Sequence, residues 1–105
     1  MGDFLYNKRM KRDAILSLLR QHRPELTNFG VKSLALFGSM ARGEETPESD
    51  VDILVEYQEP ATFDRFMDTK YYLEELLDCK VDLVTPEAIK ARMKPYIMQD
   101  LVYAT

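Results

Sequence analysis

One cysteine and one histidine are all that this 105-residue sequence offers of soft or imidazole chemistry. Cys79 has no second cysteine with which to form an intrachain disulfide, and no Cys/His cluster exists to bind zinc. Both absences fit a reducing cytoplasm. Ser-His-Asp or Cys-His catalysis would have to use His22, which lies at the end of a helical segment, far in sequence from the other polar candidates. A solvent-facing role at a helix end is its simpler meaning. No apolar run approaches the roughly 20 residues of a membrane span, and the start lacks the basic-then-apolar order of a signal peptide. The expectation is a cytoplasmic protein with no membrane partner. Internal repeats, low-complexity stretches and interior linkers are also missing.

What is present suits one compact unit. A hydrophobic content of 46% with 30% charged residues, spread through the chain, is the balance of a globular protein. The length allows one core and not two, so residues 1–105 are expected to form a single domain. The net charge of -4 is lopsided, because the first 23 residues carry six basic and two acidic side chains. A solvated helix face is the commoner meaning of such an opening, and nucleic acid is not expected as a direct partner.

From about Asn7 to Gln21, Met10, Ala14, Ile15, Leu18 and Leu19 recur at helical spacing, which predicts an amphipathic helix ended by Arg23-Pro24. Gly30 precedes Val31 to Phe37, a run suited to a buried strand. Polar residues with Gly43 and Pro47 then mark a short helical start and a turn. In Val51 to Tyr57 the apolar positions alternate with Asp52, Leu54 and Glu56, so Asp50 and Asp52 point the same way. A helix over roughly Ala61 to Leu77 presents Phe63, Phe66, Met67, Leu73, Leu76 and Leu77 as one apolar stripe. Lys80 to Val84 reads as a third strand, and Thr85-Pro86 as the start of one or two terminal helices. The order describes one α/β unit whose strand pairing is not legible.

Three features carry chemistry. Gly38-Ser39 ends an apolar strand, where glycine lets a phosphate approach the backbone, while serine adds a hydroxyl and the following helix start adds amide donors. Glycine and serine also end strands for backbone reasons alone. No Lys-Ser or Lys-Thr follows, so this is not the phosphate loop of the large NTPase families; Arg42 is a candidate cation for phosphate, or else a surface partner of Glu44 or Glu45. Asp50 and Asp52 repel each other unless a cation lies between them, and magnesium suits carboxylate and polyphosphate oxygens. Asp82 is an odd carboxylate for an interior strand; it fits metal binding or catalysis, or an edge strand where it faces water or pairs with Lys80 or Arg65. Three aspartates converging on two metal ions suit in-line attack at phosphorus.

Gly38-Ser39, ten residues, then Asp50-Val51-Asp52-Ile53 resembles the nucleotidyltransferase superfamily typified by DNA polymerase beta. The wider strings Phe37 to Glu44 and Ser49 to Val55 closely resemble its minimal nucleotidyltransferase (MNT) group. The resemblance implies an α/β (α+β) fold with a small mixed sheet and helices mainly on one face. It further implies Asp50 and Asp52 as metal ligands, Asp82 as a third ligand or as the base, and Gly38, Ser39 and Arg42 at the nucleotide. MNT proteins pair with an all-helical HEPN protein, usually a ribonuclease toxin. The implied function is therefore an antitoxin in a hetero-oligomer that uses ATP and magnesium, two ions in the implied set of three ligands, to place AMP on a tyrosine of its toxin. A binding antitoxin without catalysis, or a transferase acting on an antibiotic, are the competing expectations.

Overall fold

The computed structural model describes residues 11–44 and 50–104, and the expected helical residues Asn7 to Met10 lie outside that range. Helix α1 (Arg12–Gln21) buries Ile15, Leu16 and Leu19, one residue displaced from the expected face, so that Leu16 enters the core while Ala14 faces solvent. Arg20 in its last turn complements the helix dipole. Pro24 does not simply end helical structure. It sits in the first turn of a second helix, α2 (Arg23–Asn28), where a missing N–H costs nothing.

Gly30, at φ +83°, turns the chain into β1 (Val31–Phe37). The short helix α3 (Gly38–Arg42) follows, then β2 (Val51–Tyr57) and α4 (Phe63–Leu77). Helix α4 begins two residues later than its apolar stripe suggests, because Thr62 accepts the Arg65 N–H at 3.1 Å and caps it. Strand β3 (Val81–Val84), a 3-10 turn (Pro86–Ala88), α5 (Lys94–Gln99) and a two-residue strand β4 (Val102–Tyr103) complete the chain. The last strand has no signal of its own in the sequence; Ala35 and Leu36 of β1 define it by pairing.

The sheet runs in the order β3-β2-β1-β4 and is mixed. Strand β1 is antiparallel to β2 and β4, whereas β2 and β3 are parallel, joined through α4 as a crossover requires. One sheet face carries Leu34, Leu36, Val51, Ile53, Val55, Val81 and Leu83 into a core with Ile15, Leu19, Leu26, Met40, Leu73 and Leu77 of the four helices α1 to α4. Helices therefore cover mainly that face. The opposite face, by alternation, carries Ser33, Ala35 and Phe37, then Asp52, Leu54 and Glu56, then Asp82 and Val84. Because β3 and β4 are opposite edges, residues 85–101 must cross the sheet between them. Arg20 clasps the far end of that crossing through the Ala104 carbonyl at 2.9 Å.

Thr69 is fully buried yet satisfied, donating to the Arg65 carbonyl at 2.8 Å and accepting from the Tyr57 hydroxyl at 2.9 Å. Among the described residues no helix is long and apolar enough to cross a membrane.

Truncation in this core is costly. Leu73, with no exposed surface, is expected to lose about 2–5 kcal/mol on replacement by alanine, read as a lower urea midpoint. Phe63 belongs to the same expected stripe but is 74% exposed, and Phe63→Ala should leave the midpoint nearly unchanged.

Candidate functional site

Strand register assembles the site. Phe37 pairs with Asp52 across β1 and β2, and Asp52 pairs with Asp82 across β2 and β3, which sets the end of β1 and both carboxylates in one row. Gly38 follows Phe37 at φ +71°, a conformation that side chains resist, and a Cβ built there would collide with the Asp52 carboxylate. Glycine is thus required twice at this position, by the turn into α3 and by the closeness of Asp52. Ser39 occupies the next position of α3, partly exposed, and its carbonyl accepts the Glu44 N–H at 2.8 Å. Arg12 fastens α1 to the same helix through the Ala41 carbonyl at 2.9 Å.

Asp52 is the inner member of the acidic group. Burial, the charges of Asp82 and Asp50, and a hydrogen bond donated to Asp82 raise its pKa from the ordinary carboxylate range to about 6, against a lowering by Arg42. Asp82 is exposed, on an edge strand, as the alternative reading of its sequence position had it. It nonetheless meets Asp52. Among the described residues no ion pair joins it to Lys80 or Arg65. Asp50 is exposed just before β2 and acts on Asp52 through its charge.

No three His, Cys, Asp or Glu side chains among the described residues already converge as a metal cluster. The chemistry of the donors fits a hard divalent cation all the same. Every donor is a carboxylate oxygen, Gly38 leaves the inner side of Asp52 free of side-chain atoms, and burial with the charges of Asp82 and Asp50 raises the Asp52 pKa, a cost that a cation would offset.

Arg42 makes one of the two contacts expected of it as a surface cation, with Glu44, and a second with Asp100; Glu45 lies outside the described residues. Its Nε donates to Glu44 at 2.8 Å and its Nη1 to Asp100 at 2.8 Å, and these two carboxylates, Glu44 first, raise its pKa. The planar fork keeps Nη2 for another acceptor. Asp100, 58 residues further along the chain, has no motif to announce it; only the crossing of residues 85–101 brings it here. Lys70 was equally silent in the sequence; with Lys80, a candidate there only as an ion-pair partner of Asp82, it lines an open hollow of about 510 Å³ beside Asp50 and Asp82. His22 stands apart, with Nδ1 at 3.0 Å from the Leu18 carbonyl and its ring edge-on to Tyr72.

The raised pKa of Asp52 fixes the sign of a pH effect. A proton held more tightly in the folded than in the unfolded chain stabilises at low pH, and that contribution is lost as pH rises from the ordinary carboxylate range through about 6. With EDTA present, Asp52→Asn should melt at a higher temperature than wild type above pH 7. The gap should close on acidification to pH 4.5; a constant gap across this window would contradict the assignment.

Residues 17–104 match the model of the nucleotidyltransferase domain family. An inferred protein adenylyltransferase of Methanocaldococcus jannaschii, MJ0126, is 44% identical over 91 residues, covering 85% of this chain and 93% of that protein. A solved structure described as an inferred minimal nucleotidyltransferase superposes with a TM-score of 0.67 at 32% identity, covering 93% of each chain. A chain from the complex of a tri-AMPylated Shewanella oneidensis HEPN toxin with its MNT antitoxin shares the fold, with a TM-score of 0.57 at 20% identity, over 93% of this chain and 71% of that one. The match across nearly the whole sequence, together with the Gly38, Asp52 and Asp82 geometry, means that this chain belongs to the nucleotidyltransferase domain family.

Proposed function

We propose that the chain is a magnesium-dependent protein adenylyltransferase that moves AMP from ATP to a tyrosine hydroxyl of a HEPN-type helical toxin and so acts as its antitoxin. The observation that carries this reading is the row formed by Gly38, Asp52 and Asp82, in which a required glycine closes on one carboxylate and the parallel register supplies the next. The likeness to a protein adenylyltransferase from M. jannaschii supports the choice of reaction, and the fold shared with an MNT antitoxin supports the choice of partner.

Asp50, Asp52 and Asp82 would hold the magnesium, which when bound neutralises the triphosphate and the departing pyrophosphate. Gly38 keeps side-chain atoms away from the phosphates, and Ser39 offers its hydroxyl beside them. Arg42, steadied by Glu44 and Asp100, turns its remaining Nη2 toward phosphate oxygens. Asp82, the exposed carboxylate of the row, takes the proton of the attacking tyrosine. The tyrosine oxygen forms a bond to the α-phosphorus as the bond from that phosphorus to the bridging oxygen breaks, and pyrophosphate leaves with the electron pair. Asp52 must be ionised to hold the metal, and magnesium competes with the proton for it, so transfer should fall away on acidification with a midpoint that moves lower as magnesium is raised.

The test is transfer of labelled AMP from ATP and magnesium onto the co-purified partner. Asp50→Asn with Asp52→Asn should lower the rate by at least about a hundredfold, the scale of losing one electrostatic group at a reacting centre. Undiminished neutralisation of the toxin by this variant, with no label on it in the wild type, would make the chain a binding antitoxin. Arg42→Lys should raise the KM for ATP more than it lowers kcat, because lysine keeps the charge and loses the fork.

A further inference from the structure

The sheet face that bears Asp52 and Asp82 does not stop at the carboxylates. Two residues further along each parallel strand it continues to Leu54 and Val84, and on β2 to Glu56, a rise of about 3.3 Å per residue. Leu54 is buried there, and at the ends of β2 and β3 lies a groove of about 610 Å³ that Glu56 and Val84 line from this face and Val55, Tyr57 and Leu83 from the helix-covered one, together with the turn into α4, the first residues of α4 and the 3-10 turn. Val84 and Phe66 give it apolar walls, and Phe63 stands on it with 74% of its surface exposed. Its charged residues are Glu56, Glu59 and Glu87, and no basic residue lines it.

These features exclude some occupants. Three carboxylates around an apolar trough repel a triphosphate, a nucleic acid or an acidic peptide, so the groove is not an extension of the ATP site. The volume is that of a site for a few side chains. Phe63 lies outside the core cluster, and an exposed aromatic at the lip of a groove is the kind of side chain that anchors partners.

We propose that this groove seats an extended segment, basic and aromatic, of the protein that receives AMP, and aligns it so that a hydroxyl further along the segment reaches Asp82. The proposal rests on the protein adenylyltransferase reading. Val84 is the second residue after Asp82 on the same face, so a segment running along β3 passes from the groove to the carboxylate within about two or three residues of its own length. Apolar contact with Phe63 and Phe66 supplies affinity, and Glu56, Glu59 and Glu87 select arginine or lysine.

The experiment uses two fluorescein-labelled decapeptides, one of alternating Arg and Tyr and one in which every Arg is replaced by Glu, with binding read by fluorescence anisotropy. Wild type should bind the basic peptide at least tenfold more tightly than the acidic one. Glu59→Lys with Glu87→Lys should remove that preference, and Phe63→Ala should weaken binding about fivefold with an unchanged melting temperature. Glu25→Lys with Glu75→Lys, which changes net charge equally at a distance from the groove, should shift binding less than twofold. Equal weakening by both charge reversals overturns the proposal, since attraction would then follow net charge alone. It also falls if Phe63→Ala splits a dimer of this chain while peptide binding is unchanged, because the groove is then a self-contact.

Transfer separates the two readings. If the basic peptide binds in the groove but no hydroxyl on it or on the partner gains labelled AMP, the enzymatic reading fails, and the groove remains a peptide site but not an acceptor site. If the Glu59→Lys, Glu87→Lys variant labels the partner at the wild-type rate, the groove proposal fails and the enzyme stands.

Discussion

The structure depends on two carboxylates being held side by side against their mutual repulsion. Asp52 and Asp82 face each other because β2 and β3 are parallel and in register, and that register is imposed by Val51, Ile53, Val81 and Leu83 on the other face of the same strands. A slip of β3 by one residue would turn Asp82 into the core and Val81 and Leu83 out of it. Core packing, at several residues per strand, therefore enforces a charge arrangement that the charges alone would disperse. Burial and the neighbouring charges of Asp82 and Asp50 make Asp52 the member of the group that takes up a proton most readily on acidification, which marks it as the one most sensitive to the arrival of a cation.

Legibility in the sequence followed the range of the physics involved. Strands β1 and β2 were readable residue for residue, because alternation and apolar runs are local and both strands obey them. Gly38 and the Asp50/Asp52 pair stood out for the same reason, with glycine's freedom and carboxylate repulsion both expressed within a few residues. The start of α4 was set two residues early, at Ala61 directly after Pro60, because the capping role of Thr62 was not read. Helix α2 was missed because Pro24 was read only as a terminator, although proline in a first turn starts helices as readily.

The remainder lay beyond local reading. Strand β4 has two residues and exists through its partners on β1, and the parallel pairing of β2 with β3 is a fact of topology. Arg42 had two candidate partners nearby in sequence, and the structure adds Asp100 from the far side of the sheet. Asp82 met the edge-strand reading, being exposed on β3, and the parallel register also sets it beside Asp52, which no local pattern could announce.

The crossing formed by residues 85–101 joins places that strand order alone would keep apart. Its first residues, Thr85 to Ala88, wall the groove at the end of β3, and near its end Asp100 grips the guanidinium of Arg42. One stretch of backbone thus touches the ground where a protein acceptor would lie and the cation that would meet the triphosphate. If this stretch moves as one body, an acceptor seated at one end would change the hold on Arg42 at the other, and any such effect on nucleotide affinity would be returned in equal measure.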